Sequence, residues 1–217
     1  MRTSLLMVSA LALAGSLLSG CRIERTGESS AVPADTGAGG AVAMDPVERV
    51  ASSWTSEILP YLQGKAGEFE AVRAQMEASP DEAGRQHGYR QKEEGTPWNI
   101  VVRASGEIVE ANTKSRAATA GVDVDGDGQV DLVAQIGPVI RGTSIRDVLD
   151  FVRFEDFSNQ ITYANYGKAL NSRADEDVLS KLPREDLVGK RMTLLGVFTA
   201  AKPDEPPLVT PVEATIE

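Results

Sequence analysis

Four closely spaced aspartates mark the run Asp123-Val124-Asp125-Gly126-Asp127-Gly128-Gln129-Val130-Asp131, with carboxylates at relative positions 1, 3, 5 and 9 and a glycine at 6. Hard divalent cations, calcium above all, take oxygen ligands from tight loops of this kind. Asp123, Asp125, Asp127 and Asp131 are therefore the candidate ligands, and Ca2+ is the candidate cofactor. An EF-hand needs Glu at position 12, where Ala134 stands, and helices on both sides, where strands are expected. The run looks more like the Asp-rich calcium loops between strands of extracellular beta proteins. Asp-Gly and Gly-Asp pairs serve metal-free hairpin turns equally well, so both readings stand.

A second run, Gln135-Ile136-Gly137-Pro138-Val139-Ile140-Arg141-Gly142-Thr143-Ser144-Ile145-Arg146-Asp147, reads as a strand bending through glycine into a helix start. Backbone amides at such a start attract anions, and Arg141 and Arg146 could assist them. Further on, Phe154 to Tyr166 interleaves rings and amides as a sugar or peptide site would. Gln135, Arg141, Gly142, Thr143, Ser144, Arg146, Asn159 and Gln160 are the candidate ligand-binding residues. The structural alternative has Thr143 or Ser144 capping the helix, the arginines pairing with Asp147, Asp150 or Asp156, and the rings forming core.

Chemistry beyond binding finds little material. His87 is the single histidine and lies beside Gly88 at an expected helix end, where a dipole contact accounts for it. No Ser/His/Asp pattern, no phosphate-binding G-x-x-x-x-G-K-[ST] loop and no acid/base carboxylate pair stands out. The chain reads as non-enzymatic. Its 32 acidic residues outnumber 22 basic ones, a formal charge of −10, which argues against nucleic acid as a partner because phosphates need a Lys/Arg face.

The single cysteine, Cys21, follows Leu18-Ser19-Gly20, a sequence that resembles the bacterial lipobox, in which the sulfur receives lipid and a peptidase cuts just before it. The apolar run from Leu5 to Leu18 falls short of the roughly 20 residues a spanning helix needs but suits a signal peptide. Residues 1–20 are thus a lipoprotein signal peptide, and Cys21 is the lipidation site joining the protein to a membrane. Arg22 in place of Asp, by resemblance to Gram-negative lipoproteins, favours the outer membrane over the inner, on the periplasmic side. Residues 21–44, rich in Gly and Ser without an aromatic ring, read as a lipidated flexible tether.

The elements that must position these residues occupy 45–217, read as one α+β domain, helical over 45–90 and a sheet with helices over 96–217. Asp45-Pro46-Val47-Glu48 carries helix-start signals, and Val47, Val50, Trp54, Ile58 and Tyr61 recur at helical spacing, with Pro60 ending or bending the helix. A second helix is expected over Lys65 to Ala78, and a third, capped by Ser79, runs to about Gly88. After Thr96 the period shortens to two. Trp98, Ile100 and Val102 form a strand ending in a Ser105-Gly106 turn, and strands follow at Glu107 to Asn112, Arg116 to Val124 and Gln129 to Ile136. Two helices, Ser144 to Val152 and Ser158 to Asn171, precede strands at Arg191 to Ala200 and Leu208 to Ile216. A small antiparallel sheet or partly closed barrel with an N-terminal helical segment and two inserted helices fits this order.

The run from Gln135 to Thr143, continued by Ile145-Arg146-Asp147, by Phe154 to Ile161 and by Ala169-Leu170-Asn171, resembles an uncharacterised family of predicted bacterial periplasmic lipoproteins with a domain of unknown function. The likeness extends from Asp45 to the C-terminus, including Ile58-Leu59-Pro60 and Gly196-Val197-Phe198. It implies an OB-like barrel with added helices, and a gene neighbourhood of ribose-type sugar ABC transporters. The expected function is a non-enzymatic, envelope-anchored binding or accessory module whose partner is a sugar ABC transporter or its soluble binding protein. The alternative is a calcium-stabilised structural lipoprotein of the envelope.

Overall fold

A computed structural model of the chain describes residues 44–91, 95–200 and 205–217. The first helix, α1 (Pro46–Ser53), starts as its sequence demands: the Asp45 carboxylate accepts the Val47 amide at 2.8 Å, with Pro46 in the first turn. Val50, Trp54, Ile58 and Leu62 are buried, whereas Val47, expected on the inner stripe, is 66% exposed. Pro60 does not end the helix. The chain widens into a π turn at Trp54–Ile58, in which the Leu59 amide donates to the Trp54 carbonyl, and Pro60 falls in the first turn of α2 (Leu59–Lys65). An early helical position suits a residue without an amide.

Ala66 then adopts an extended backbone, so the helix expected from Lys65 gives way to a short strand, β1 (Gly67–Glu68), and begins only as α3 (Phe69–Ala78). Next come α4 (Pro80–His87) and β2 (Gly88–Tyr89). Ser79 precedes α4 without a side-chain cap; its carbonyl accepts the Glu82 and Ala83 amides instead.

The Ser105–Gly106 turn does not exist. One strand, β3 (Asn99–Asn112), runs straight through it. A Cβ at Gly106 would lie 2.0 Å from the Asp123 carbonyl oxygen, so the glycine permits close backbone approach rather than a reversal. Near this point β3 changes partners. It pairs antiparallel with β6 (Arg191–Thr199) from Asn99↔Thr199 to Glu107↔Arg191, and with β4 (Thr119–Asp123) from Glu107↔Asp123 to Asn112↔Thr119, with an irregularity between Ile108 and Glu110. β4 pairs antiparallel with β5 (Leu132–Gln135), and β7 (Leu208–Ile216) pairs antiparallel with β6. The β5–β7 pairing is parallel, Val133↔Leu208 and Ala134↔Val209, where an antiparallel sheet was expected. It closes a five-stranded mixed barrel in the order β3-β4-β5-β7-β6 and back to β3. β1 and β2 cover the stretch of β3 edge that β4 does not reach, at Val102–Arg103 and at Asn99–Ile100, removing an open edge.

Alternation along the strands divides the core in two. Ile100, Val102, Ala120, Val122, Leu132, Ala134, Leu194 and Phe198 fill one cluster, joined by Phe69, Val72, Leu179 and Leu182. Val101, Leu195, Val197 and Val212 point the other way, into a second cluster with Trp54, Ile58, Ile145, Leu149, Tyr166 and Leu170. Two inserted helices serve that outer layer. The first, α5 (Ser144–Asp147), is a single turn where a longer helix was expected, and the second, α6 (Gln160–Asp177), runs beyond the expected Asn171. A fold of helices packed on an OB-like barrel, α+β as read from the sequence, is the result.

Candidate functional site

The Asp-rich loop joins β4 to β5 and turns at Gly126 and Gly128, whose φ values of 83° and 84° lie in the region that favours glycine. The loop binds itself. Asp123, buried at the end of β4, accepts the Gly126 amide at 2.7 Å and the Gly128 amide at 2.8 Å. Asp131 accepts the amides of Val124 at 2.7 Å and Asp125 at 3.2 Å through Oδ2. Asp123, Asp125 and Asp131 each bring one carboxylate oxygen within 4.8 Å of the others. Asp127, the fourth candidate ligand, is not in this group; it accepts the Gln129 amide at 2.8 Å.

One residue that local sequence does not point to enters here. Arg73, on α3, donates Nη1 to Asp131 Oδ1 and Nη2 to Asp125 Oδ2, the latter at 3.3 Å. Burial pushes the Asp131 carboxyl up, but the Val124 amide, the Arg73 guanidinium and the Asp125 amide outweigh it, so it sits below the usual carboxylate range.

The candidate ligand-binding residues mostly hold the β5–α5 passage together. Buried Gln135 accepts the Arg141 amide at 2.7 Å and donates to the Arg141 carbonyl at 3.1 Å and to Thr210 Oγ1 at 2.8 Å. The Ser144 hydroxyl faces the Val197 carbonyl and Thr210 Oγ1, both at 3.3 Å. Gly142 turns with φ 85°, and its carbonyl accepts the Asn171 amide group at 3.0 Å. Thr143 makes no side-chain cap; its hydroxyl donates to Asp147 at 2.5 Å. Arg146 pairs with Asp147 at 2.7 Å and stacks 3.9 Å from the Tyr163 ring centroid. Asn159 caps α6 by accepting the Thr162 amide at 2.9 Å. Arg141 and Gln160 are exposed.

Tyr163 and Tyr166 are buried, as the structural alternative has it, whereas Phe154 is not. Tyr163 meets Phe154 and Phe157 edge-on at 5.5 and 5.1 Å, and Arg49 lies over Phe157 and Tyr166 at 4.8 and 5.1 Å. Phe154 and, in the first turn of α6, Ile161 face outward, at 44% and 72% exposure. Two open grooves lie elsewhere: about 510 Å³ between α1 and α6, and about 470 Å³ between the end of α6 and β7. None of the eight candidate ligand residues lines either. His87 does make a helix-end contact, but with another helix: its Nδ1 lies 3.0 Å from the carbonyl of Lys65, the last residue of α2. A carbonyl only accepts, so Nδ1 carries the proton.

A closed barrel with helices packed outside it defines the class of the domain as an OB fold. In agreement, the chain is similar to the crystal structure of an OB-fold protein from Thermotoga maritima, with a TM-score of 0.62 and 22% identity over 80% of this chain and 98% of that one. The chain belongs to the family described as "Predicted periplasmic lipoprotein (DUF2291)", whose model matches residues 11–215 and so takes in Cys21. It is accordingly a periplasmic, lipid-anchored protein. Cys21 itself, like the signal peptide and nearly all the rest of the tether, lies outside the described residues. No helix among the described residues is long and apolar enough to cross a membrane. No curated protein gives a significant sequence match.

Proposed function

We propose that this lipoprotein is a non-enzymatic accessory module that docks a protein component of a sugar ABC-type uptake system, the transporter or its soluble binding protein, from the periplasmic face of the outer membrane. The observation that carries this reading is the exposure of two large apolar side chains, Phe154 and Ile161, in the segment that leads into and opens α6. Small-molecule sites are concave, and the candidate ligand residues line neither groove and mostly satisfy one another. A protein surface therefore accounts for the accessible groups better than a free sugar does. The uptake partner comes from the family resemblance, and the outer membrane from Arg22 following the lipidated cysteine. The acidic balance of the chain disfavours nucleic acid.

A photo-crosslinking residue placed at Ile161 in living cells, followed by mass spectrometry, tests the reading. Recovery of an uptake component, lost when Phe154→Ser is added, supports it. Adducts without any such component count against it. The rival, a calcium-stabilised structural lipoprotein, draws on the three converging carboxylates but loses support where Arg73 already neutralises two of them.

A further inference from the structure

Three carboxylates within 4.8 Å of one another repel unless something positive lies among them. Backbone amides occupy both oxygens of Asp123, Oδ1 of Asp125 and Oδ2 of Asp131. The oxygens left over, Asp131 Oδ1 and Asp125 Oδ2, are the two that Arg73 reaches. The Asp131 side chain is only 9% exposed, so its charge is not simply left to water. A planar guanidinium fork suits two acceptors at once, whereas calcium needs six to eight oxygens, two of which Arg73 already holds.

We infer that Arg73 is the resident cation of the Asp-rich loop: it does within the chain what a divalent ion does in loops of this kind, and it thereby clamps α3 to the β4–β5 hairpin. The sequence motif is that of a metal loop, but its charge is balanced from a helix some fifty residues earlier in the chain. The guanidinium also lies 5.8 Å from the Phe69 ring centroid on its own helix, which keeps the side chain aimed at the loop.

The test uses the full-length mature lipoprotein in detergent, melted with calcium chloride or with sodium chloride of equal ionic strength. Arg73→Gln keeps most of the side-chain stem and removes the charge. It should lower Tm by about 2–4 °C, the shift that corresponds to a modest ion-pair contribution in a domain of this size. The same change in an Asp131→Asn background, or in Asp125→Asn should the first fail to fold, should lower Tm by clearly less. Calcium should leave the wild-type Tm where it is. A Tm unchanged by Arg73→Gln, an equal loss in both backgrounds, or a wild-type chain that calcium stabilises would each overturn the inference.

Discussion

Gln135 of β5 and Thr210 of β7 are joined side chain to side chain at 2.8 Å, both buried, next to the one parallel pairing of the barrel. The same Gln135 amide holds both backbone groups of Arg141, so a single side chain fixes the seam of the barrel and the start of α5. Gln135→Leu keeps the approximate volume and removes all three bonds. Each buried group left without a partner costs about 1–3 kcal/mol, and each kcal/mol corresponds to roughly 2–4 °C in a domain of this size. Thermal melting should show a drop of several degrees. If Gln135→Leu melts with the wild type, the network is replaceable.

Gly106→Ala should be damaging although it adds only one methyl group, because Gly106 is buried in β3. The added methyl would sit 2.0 Å from the Asp123 carbonyl oxygen, so β3 and β4 must separate where β3 changes partners. Overpacking of this sort costs about 1–3 kcal/mol or more. Chemical denaturation gives the measurement, with Ser105→Ala as the control, since the Ser105 side chain is exposed and faces Thr193 at 3.0 Å.

Two titrations should bear on stability in opposite directions. The Asp131 carboxyl is held below its unfolded value of about 3.9. Its contribution is thus complete above that pH and is lost as pH falls through the folded value. The Tm gap between wild type and Asp131→Asn should stay constant down to about pH 5 and close below about pH 4. Tyr61 runs the other way. Burial first, and the neighbouring Asp150 carboxylate second, push its phenol above the ordinary value of 10.0, so its contribution is complete below that pH and lost as pH rises through the folded value. Burial raises Tyr166 as well. Phenolate absorbance should show these two of the four tyrosines ionising late.

Cys21→Ser removes the thiol that accepts lipid. The variant should incorporate no labelled palmitate and should partition into the aqueous phase of a detergent separation once its leader is cut by any route. Label retained by the serine variant would place the anchor elsewhere.

The places where reading the sequence worked share one property: the information is local. Asp45 and Pro46 start α1, Asn159 caps α6, and the glycines turn the Asp-rich loop, because each acts on backbone within a few residues. Gly106 misled because one residue type serves both reversals and close approaches, and only the neighbouring strand distinguishes them. The helix expected over Ser144 to Val152 is regular for one turn only and continues through i to i−3 turns, the Leu149 amide donating to Arg146 and the Val152 amide to Leu149, with Ile145, Val148, Leu149 and Val152 all buried as the helical spacing has them.

By itself the sequence determined the destination and the ingredients: a leader and lipobox around the sole cysteine, a helical stretch ahead of strands, and an aspartate loop with its own turn chemistry. The tertiary structure decided how distant groups meet. It set β5 parallel to β7, bound Gln135 to Thr210, and brought Arg73 to Asp131. Those pairings join residues far apart in the chain, and no periodicity or cap encodes them, because they exist only once the barrel has closed and the helices have packed upon it.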